Sequence, residues 1–264
     1  MSKTLLEVKD MHVSIHTDSG VVKAVRGVSF ELHEGETLAI VGESGSGKSV
    51  TNKAIMGLLP PGGKIDSGEV ILNGRNIANL PEKELMKIRG AEISMIFQDP
   101  LTSLNPTMTV GKQITEMLLL HKPGMTKEQR RERAIDLLGM VGIPNPGERF
   151  DQYPHQFSGG MRQRVMISIA LACEPQILIA DEPTTALDVT IQAQILDLMK
   201  DLQKKINTSI IIITHNMGVV ASVADRVAVM YGGRFCETGS LDEIFYDMKH
   251  PYTKGLMDSI PNLK

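Results

Sequence analysis

Apolar residues follow two different spacings along this chain. Residues 6–13 alternate apolar with polar side chains, as a half-buried strand does, and residues 21–31 predict a second strand after the turn at residues 18–20. Asn73-Gly74 and Gly232-Gly233 are the dipeptides of tight hairpin turns. Further strands are predicted at residues 38–41, 69–72, 93–97, 177–180, 209–213 and 226–230.

Helical spacing appears between these strands. Helices are predicted at residues 110–120, 128–141, 161–172, 191–203 and 219–224. From about residue 100 to 172 the helical segments are separated only by proline- and glycine-containing breaks, which predicts a helical subdomain inserted between strands. The fold class is therefore α/β, with a mixed, mostly parallel sheet as the core and an antiparallel β region at the N-terminus.

A glycine-rich loop lies between the predicted strand at residues 38–41 and a segment with helical spacing. Its residues are Gly42, Glu43, Ser44, Gly45, Ser46, Gly47, Lys48 and Ser49. Glycines let successive backbone N–H groups converge on one point, and the following helix directs the positive end of its dipole there. We expect Lys48 at the β- and γ-phosphates of a nucleoside triphosphate and the Ser49 hydroxyl on Mg²⁺. The alternative is a glycine- and serine-rich turn with a solvated lysine.

Two carboxylates, Asp181 and Glu182, end the strand predicted at residues 177–180. In phosphate-loop enzymes the first holds Mg²⁺, and the second is placed to polarise an attacking water. Asp-Glu-Pro can also simply end a strand, so the loop is needed to support this interpretation. His215 and Gln98 also follow predicted strands, where they could contact a γ-phosphate or a metal, although neither establishes a site alone.

Ser158, Gly159 and Gly160 open another predicted helix. A helix start of this composition is a second anion site, and it lies far from the first in sequence. One chain with two phosphate-binding helix starts suggests that nucleotides are sandwiched between two copies.

Composition excludes several other classes of protein. The net charge of −3 gives no electrostatic reason to expect nucleic acid as a partner. Cys173 and Cys236 lack metal-like spacing and are expected to be small buried side chains in a reducing compartment. No apolar stretch is long enough to span a bilayer, and the N-terminus lacks a signal-peptide apolar region, so a cytoplasmic location is expected.

Together these motifs resemble the ATP-binding subunit of an ABC transporter, from about Leu5 to Tyr252. The resemblance implies that residues 42–49 are the Walker A loop, Gln98 the Q-loop glutamine and residues 157–163 the signature motif. It further implies that residues 177–181 are Walker B, Glu182 is the catalytic glutamate, residues 185–188 with Asp188 are the D-loop, and His215 is the switch histidine. ATP and Mg²⁺ are the implied cofactors, with Ser49, Gln98 and Asp181 as metal ligands.

Within the family, the chain resembles the D-type subunit of oligopeptide and dipeptide importers. This rests on residues 97–111, residues 157–165, residues 180–190 and the late segment His250-Pro251-Tyr252-Thr253. Nickel importers belong to the same subfamily, so the substrate is left open. Many D-type subunits carry a C-terminal extension whose cysteines hold an iron–sulfur cluster; this sequence ends at Lys264 without one, which leaves open a naturally short, nickel-type relative or a truncated chain.

The chain departs from the family pattern at two places. Phe157 and Met161 replace the first and last residues of the usual L-S-G-G-Q signature, while its Ser-Gly-Gly is intact, so we expect function to survive. Ile15, with His16 beside it, stands where the family usually has an aromatic residue that stacks on adenine. What packs against the base is therefore left open.

The resemblance implies an ATPase that powers import, with a nucleotide-binding domain at residues 5–256 and a tail at 257–264. Mg-ATP at Lys48 and Ser49 of one subunit would be capped by Ser158 and Gly160 of another. The implied partners are a second ATP-binding subunit, an F-type subunit in a heterodimer, two permease subunits and an extracytoplasmic substrate-binding protein. The implied location is peripheral, on the cytoplasmic face of the cell membrane.

Three other functions share the loop. A non-transport ABC ATPase acting on DNA or ribosomes would carry long coiled-coil insertions or two fused ATPase domains, and this chain has neither. A small-molecule kinase or GTPase would have no use for Ser158-Gly159-Gly160. A regulatory nucleotide-binding module would be expected to lack the catalytic acid, whereas Glu182 is present.

Overall fold

The computed structural model describes residues 3–185 and 187–259. Its strands are β1 (Thr4–Thr17), β2 (Gly20–His33), β3 (Thr37–Val41), β4 (Gly63–Leu72), β5 (Arg75–Asn76), β6 (Ile93–Ile96), β7 (Ile177–Asp181), β8 (Ser209–Thr214), β9 (Arg226–Tyr231) and β10 (Arg234–Ser240). Its helices are α1 (Lys48–Ile55), α2 (Glu82–Ile88), α3 (Pro100–Ser103), α4 (Val110–His121), α5 (Lys127–Met140), α6 (Pro146–Arg149), α7 (Gly159–Ala170), α8 (Val189–Ile206), α9 (Met217–Val223), α10 (Leu241–Tyr246) and α11 (Pro251–Asp258). The chain divides into two compact units, unit 1 (residues 1–85 and 209–264) and unit 2 (residues 86–208).

Unit 1 contains the predicted antiparallel region, in which the strands follow the order β2, β1, β4, β5. β1 and β2 are longer than the apolar alternation predicted, because backbone pairing continues past the buried positions to Thr17 opposite Gly20. The predicted Asn73-Gly74 turn is confirmed: Leu72 pairs with Arg75, and both turn residues have positive φ, 49° and 79°.

The second group of strands in unit 1 is mixed, as predicted. β3 runs parallel to β8 on one side and to β9 on the other, and β10 returns antiparallel to β9. All residues of β3 and β8 are buried, which explains why both read as continuous runs of apolar residues rather than as alternation. The register places Val41 opposite Thr214, so the carboxyl ends of β3 and β8 lie side by side.

Unit 2 combines a parallel strand pair, β6 and β7, with helices. α7 packs against α3, α4, α5, α8 and β6, and is therefore the helix around which this unit is organised. The helices predicted at residues 110–120, 128–141, 161–172 and 191–203 are confirmed as α4, α5, α7 and α8. The extent of the helical insert, residues 100–172, and the domain bounds stay predictions, and residues 260–264 of the predicted tail lie outside the described residues.

Both cysteines are free thiols. Burial raises the pKa of the Cys173 thiol and of the Cys236 thiol, so each stays protonated near neutral pH. Cys173 is buried, as the sequence predicted, whereas the prediction is wrong for Cys236, which is only half-buried because it lies in β10, where no residue is fully buried. Within the described ranges, none of the helices has both the length and the apolar character needed to cross a membrane.

Gly68 in β4 and Gly74 in the hairpin that follows it allow the effect of steric crowding to be distinguished from that of backbone conformation. Both have positive φ, 97° at Gly68 and 79° at Gly74. A Cβ at Gly74 would meet nothing within 4 Å, whereas one at Gly68 would lie 2.4 Å from the carbonyl oxygen of Asp10. Because Gly68 has no Cβ, β4 can lie close to β1 at Asp10, where the pairing of the two strands is irregular.

We predict that Gly74→Ala costs about 1–2 kcal/mol of unfolding free energy, from backbone strain alone. Gly68→Ala should cost more, by a further ~1–3 kcal/mol for the clash. Urea unfolding of the two variants measures the difference. Equal losses would show that the close approach at Gly68 has no energetic consequence.

Candidate functional site

The phosphate-binding loop joins β3 to α1 in unit 1. Its glycines adopt backbone conformations that L side chains rarely occupy, with φ of 148° at Gly42, 79° at Gly45 and 110° at Gly47. A Cβ at Gly42 would lie 2.2 Å from the carbonyl oxygen of Met230, and one at Gly47 would lie 2.5 Å from that of Ala24. Only glycine fits at these two positions, because backbone from β9 and β2 presses on the loop.

Lys48 is almost wholly buried, at 5% exposure, and the loop curls around its ammonium group. The Nζ atom donates hydrogen bonds to the carbonyl oxygens of Gly42 and Glu43, both at 2.7 Å, and approaches the Ser46 hydroxyl at 3.4 Å. The ammonium group therefore lies inside the curve of the loop, where it can form an ion pair with a bound anion.

The start of α1 carries no side-chain cap, because the N-cap residue is Gly47. The first backbone N–H groups of an α-helix have no acceptor within the helix. Together with the dipole of the eight-residue helix and with Lys48, they form an arrangement that fits the phosphates of a nucleotide.

Two contacts from the C-terminal part of unit 1 also hold this loop. The Gly233 N–H donates to the carbonyl oxygen of Ser46 at 2.8 Å, and the Glu43 N–H donates to the Tyr252 hydroxyl at 3.0 Å. The sequence predicted neither contact. The only indication in the sequence was the segment His250-Pro251-Tyr252, which resembles the family but was given no role.

His215 follows β8, whose end lies beside the end of β3 where the loop begins. Its side chain is exposed. The next residue, Asn216, accepts hydrogen bonds from the N–H groups of Gly218 and Val219 and so caps α9. His215 is thus held between a buried strand and a capped helix, at the same sheet edge as the loop.

Unit 2 holds the predicted acidic residues. Asp181 is the last residue of β7 and is 5% exposed. Glu182 has a φ of 48°, a left-handed conformation that is uncommon for a residue with a side chain and is often found at functional sites. The sequence analysis did not predict this conformation.

Gln98 and Glu182 are brought together, since β6 and β7 are parallel neighbours with Ile96 opposite Ala180. The Gln98 Nε2 atom donates to the Glu182 Oε2 atom at 3.0 Å, and the Thr185 hydroxyl donates to the same oxygen at 2.9 Å. The sequence predicted the first two residues but missed Thr185 as a partner. The signal available was its position three residues after the glutamate, within reach across a turn.

Ser158, Gly159 and Gly160 stand at the start of α7. The Ser158 hydroxyl accepts a hydrogen bond from the Met161 N–H at 3.3 Å, and Asp188 caps α8 in the same way through the Ile191 N–H at 3.0 Å. Ser158, Gly159 and Asp188 are exposed. In the predicted D-loop, Ala186 lies outside the described residues.

The two departures from the family pattern have different surroundings. Phe157 is 3% exposed, so its ring contributes to packing, and the Arg149 guanidinium lies 5.7 Å from the ring centroid. Ile15 is half-buried and pairs with Val22, which is 53% exposed. Together they place an aliphatic surface near the β1–β2 turn.

The residues predicted to serve Mg²⁺ are oxygen donors. Among residues 3–185 and 187–259, no group of three or more His, Cys, Asp or Glu side chains could hold a metal ion by itself. Mg²⁺ usually keeps several waters and is bound through one or two carboxylates plus substrate phosphates. The chemistry of Ser49, Asp181 and Gln98 fits that role.

Comparison with known proteins identifies close relatives. The sequence model of the ABC transporter family matches residues 25–185. The chain is 65% identical to the oligopeptide transport ATP-binding protein OppD of Bacillus subtilis, over 98% of this chain and 73% of the relative. It is 61% identical to the dipeptide transport ATP-binding protein DppD of the same organism, over 98% of this chain and 77% of the relative.

A solved structure has the same fold. An ATP-binding cassette, MJ0796, determined as a dimer in a post-hydrolysis state with ADP and Pi, matches with a TM-score of 0.80 and 30% sequence identity. The match covers 90% of this chain and 99% of that one.

The two glycines that open α7 differ in the room beside them. A Cβ at Gly160 would lie 2.8 Å from the Cγ2 atom of Ile191, whereas at Gly159 the nearest atom is the Leu187 Cδ2 at 4.0 Å. We predict that Gly159→Ala leaves the unfolding free energy of the isolated chain unchanged or raises it by up to about 1 kcal/mol, as alanine does in a helix.

Gly160→Ala should instead lower it by about 1–3 kcal/mol, because the β-branched Ile191 side chain has little freedom to move. Ile191→Ala removes the clashing methyl group, so Gly160→Ala should cost less in the Ile191→Ala background than in the wild type, and a double-mutant cycle by urea unfolding should show a non-zero coupling. Additive effects of the two substitutions would contradict the contact.

Proposed function

The chain belongs to the ABC transporter family, and on this premise we propose that it is the ATP-hydrolysing subunit of an importer of oligopeptides or dipeptides. The observation that carries the proposal is identity of 60–65%, over 98% of the chain, to ATP-binding proteins of oligopeptide and dipeptide transport. The geometry of the phosphate-binding loop supports the ATP-binding part of the proposal independently.

The loop supplies the binding step. The glycine conformations keep the backbone concave, and the start of α1, which no side chain caps, directs the positive end of its dipole toward the phosphates. Lys48, buried among the loop carbonyls, is the positive charge available to the β- and γ-phosphates. Gly42, Glu43, Ser44, Gly45, Ser46, Gly47 and Ser49 complete the proposed nucleotide contacts.

The catalytic step is assigned to Glu182 as general base, with His215 orienting the γ-phosphate and the water. Mg²⁺, held by Ser49, Asp181 and Gln98 in this proposal, would neutralise charge developing on the phosphate oxygens. In the structure both Gln98 and Thr185 donate to the Glu182 carboxylate. These hydrogen bonds hold the carboxylate in place through its Oε2 atom.

The second half of the site would come from another subunit. Ser158 and Gly159 are exposed at the start of α7, and the half-buried Gly160 lies close to Ile191 of α8. In our proposal this surface caps a nucleotide held at the loop of a partner ATP-binding subunit, an F-type subunit in a heterodimer. The dimeric state of the related cassette MJ0796 supports a two-subunit arrangement.

The remaining partners follow from the proposed role in import. Two permease subunits would form the channel, and an extracytoplasmic binding protein would select the cargo. The subunit would then sit on the cytoplasmic face of the membrane and pass closure of the ATPase pair to the permeases through the region around Gln98 and the helical insert, residues 100–172. The ATPase domain in this proposal comprises residues 5–256.

We predict that Glu182→Gln retains ATP binding but lowers turnover by at least about 100-fold, because the amide cannot accept the proton of the attacking water. Assembled with its partner ATP-binding subunit, the variant should accumulate as an ATP-bound dimer, seen by size-exclusion chromatography. Glu116→Gln, at an exposed position in α4, removes the same charge elsewhere and should hydrolyse ATP normally. Full-speed hydrolysis by Glu182→Gln would remove this residue from the catalytic role.

We also predict that peptide stimulates hydrolysis in the assembled transporter. The complex, reconstituted in liposomes with its permeases and binding protein, is assayed for ATPase activity with trialanine and, separately, with NiCl₂. Stimulation by trialanine supports peptide import. Stimulation by NiCl₂ alone would transfer the chain to the nickel importers, and no response to either would contradict both assignments.

A further inference from the structure

Tyr252 contacts the phosphate-binding loop from outside the region that defines the family. It lies in α11, beyond residues 25–185 that the family model matches. Its hydroxyl oxygen accepts a hydrogen bond from the Glu43 N–H at 3.0 Å. Both residues belong to unit 1, so the contact is internal to one compact body.

Glu43, which is hydrogen-bonded to Tyr252, also contacts Lys48. The Glu43 carbonyl oxygen accepts a hydrogen bond from the Lys48 Nζ atom at 2.7 Å, while the Glu43 N–H is bound to Tyr252. The backbone on both sides of Glu43 is therefore restrained. A shift of this residue would move the carbonyl groups around the ammonium group that serves the phosphates.

The tyrosine side chain is itself held firmly. Its ring packs on the ring of Tyr231, the last residue of β9, with centroids 4.5 Å apart and the planes tilted by 42°. Its backbone N–H donates to the Nδ1 atom of His250, which caps α11. Burial raises the pKa of the Tyr252 phenol, so the hydroxyl is neutral near physiological pH and its oxygen can accept a hydrogen bond.

The start of α11 is anchored to the sheet by one carboxylate. Glu237 of β10 accepts hydrogen bonds from the N–H of Lys249 at 2.7 Å and from the N–H of His250 at 3.1 Å. Glu237 thus connects β10 to the residues that precede α11, and Tyr252 in α11 connects this helix to the loop. The Gly233 N–H, in the turn between β9 and β10, reaches the loop separately at Ser46.

We propose that Tyr252 is a positioning residue for ATP binding: its hydroxyl holds the Glu43 peptide in the loop conformation that receives the phosphates. The inference rests on the proposed function in that the loop binds ATP. Tyr252 acts through the loop backbone, so its loss should change nucleotide affinity more than the rate of the chemical step.

The test replaces only the hydroxyl. Tyr252→Phe keeps the ring on Tyr231 and removes the acceptor for the Glu43 N–H. One hydrogen bond of ordinary strength corresponds to a loss of about two- to tenfold in ATP affinity, measured by titration calorimetry on the full chain. The KM for ATP should rise by a similar factor in the assembled transporter, with kcat changed less. Tyr246→Phe, at a position 84% exposed, is the matched control and should behave as wild type.

Hydrogen exchange reads the contact directly and does not depend on activity. In Tyr252→Phe the Glu43 amide should exchange faster by about the same factor, while the Gly233 amide, which donates to Ser46, stays protected. Thermal unfolding of the variants completes the set. A lowered melting temperature with unchanged affinity and unchanged Glu43 exchange would mean a merely structural tyrosine and would overturn the proposal, as would tighter ATP binding.

A second variant covers the possibility that phenylalanine is tolerated through a rearranged loop. Tyr231→Leu leaves the Tyr252 hydroxyl but removes the ring that supports it, and its position is 57% exposed, so folding should be preserved. Its ATP affinity should fall in the same direction but by less. If the wild-type chain failed to bind ATP, the proposed function would be wrong, whereas Glu43 exchange would still decide whether Tyr252 restrains the loop.

Discussion

The close approach of backbone to backbone around the phosphate-binding loop is the constraint on which the rest of unit 1 depends. The Met230 carbonyl faces Gly42 and the Ala24 carbonyl faces Gly47, each at a distance that leaves no space for a side chain. Both glycines also have positive φ. The loop that curls around Lys48 is therefore packed directly against backbone of β2 and β9, which makes the anion site part of the folded unit rather than of the motif alone.

Parallel strand register determines which chemical groups become neighbours. Val41 lies opposite Thr214, so the loop and His215 emerge from adjacent strands at one edge. Ile96 lies opposite Ala180, which brings Gln98 within hydrogen-bond distance of Glu182. In both units, residues far apart in sequence meet because buried β-branched strands pair along their whole length with little freedom to slip.

The helix starts divide into two kinds. At α7 and α8 the side chains of Ser158 and Asp188 accept hydrogen bonds from the first turn. At α1 the N-cap is Gly47, which has no side chain to offer. This difference fits the proposed roles: α1 receives phosphate through its own backbone, whereas the signature serine lies exposed at a helix start that is already stable and can meet a nucleotide on another subunit.

Much of the architecture and the motifs could be predicted from the sequence, because they depend on local spacing. The apolar runs located β3, β6, β7, β8 and β9, the Asn-Gly and Gly-Gly pairs located two hairpins, and the loop and carboxylates carried their chemistry in their own order. The short helices α2, α3 and α6 and the C-terminal α10 and α11 were not predicted, since few turns give too little periodicity to recognise.

Tertiary structure alone decided the contacts that adjust the site. The hydrogen bond from Gln98 to Glu182 and the hydrogen bond from the Glu43 N–H to the Tyr252 hydroxyl depend on how separate segments meet. The hydrogen bond between residues 43 and 252 joins two positions that lie far apart in the sequence and belong to no common motif. The sequence by itself thus determined the family, the elements and the reacting groups, because these are encoded in short patterns. The restraint on the loop arose only when the strands and α11 brought distant backbone within hydrogen-bond reach.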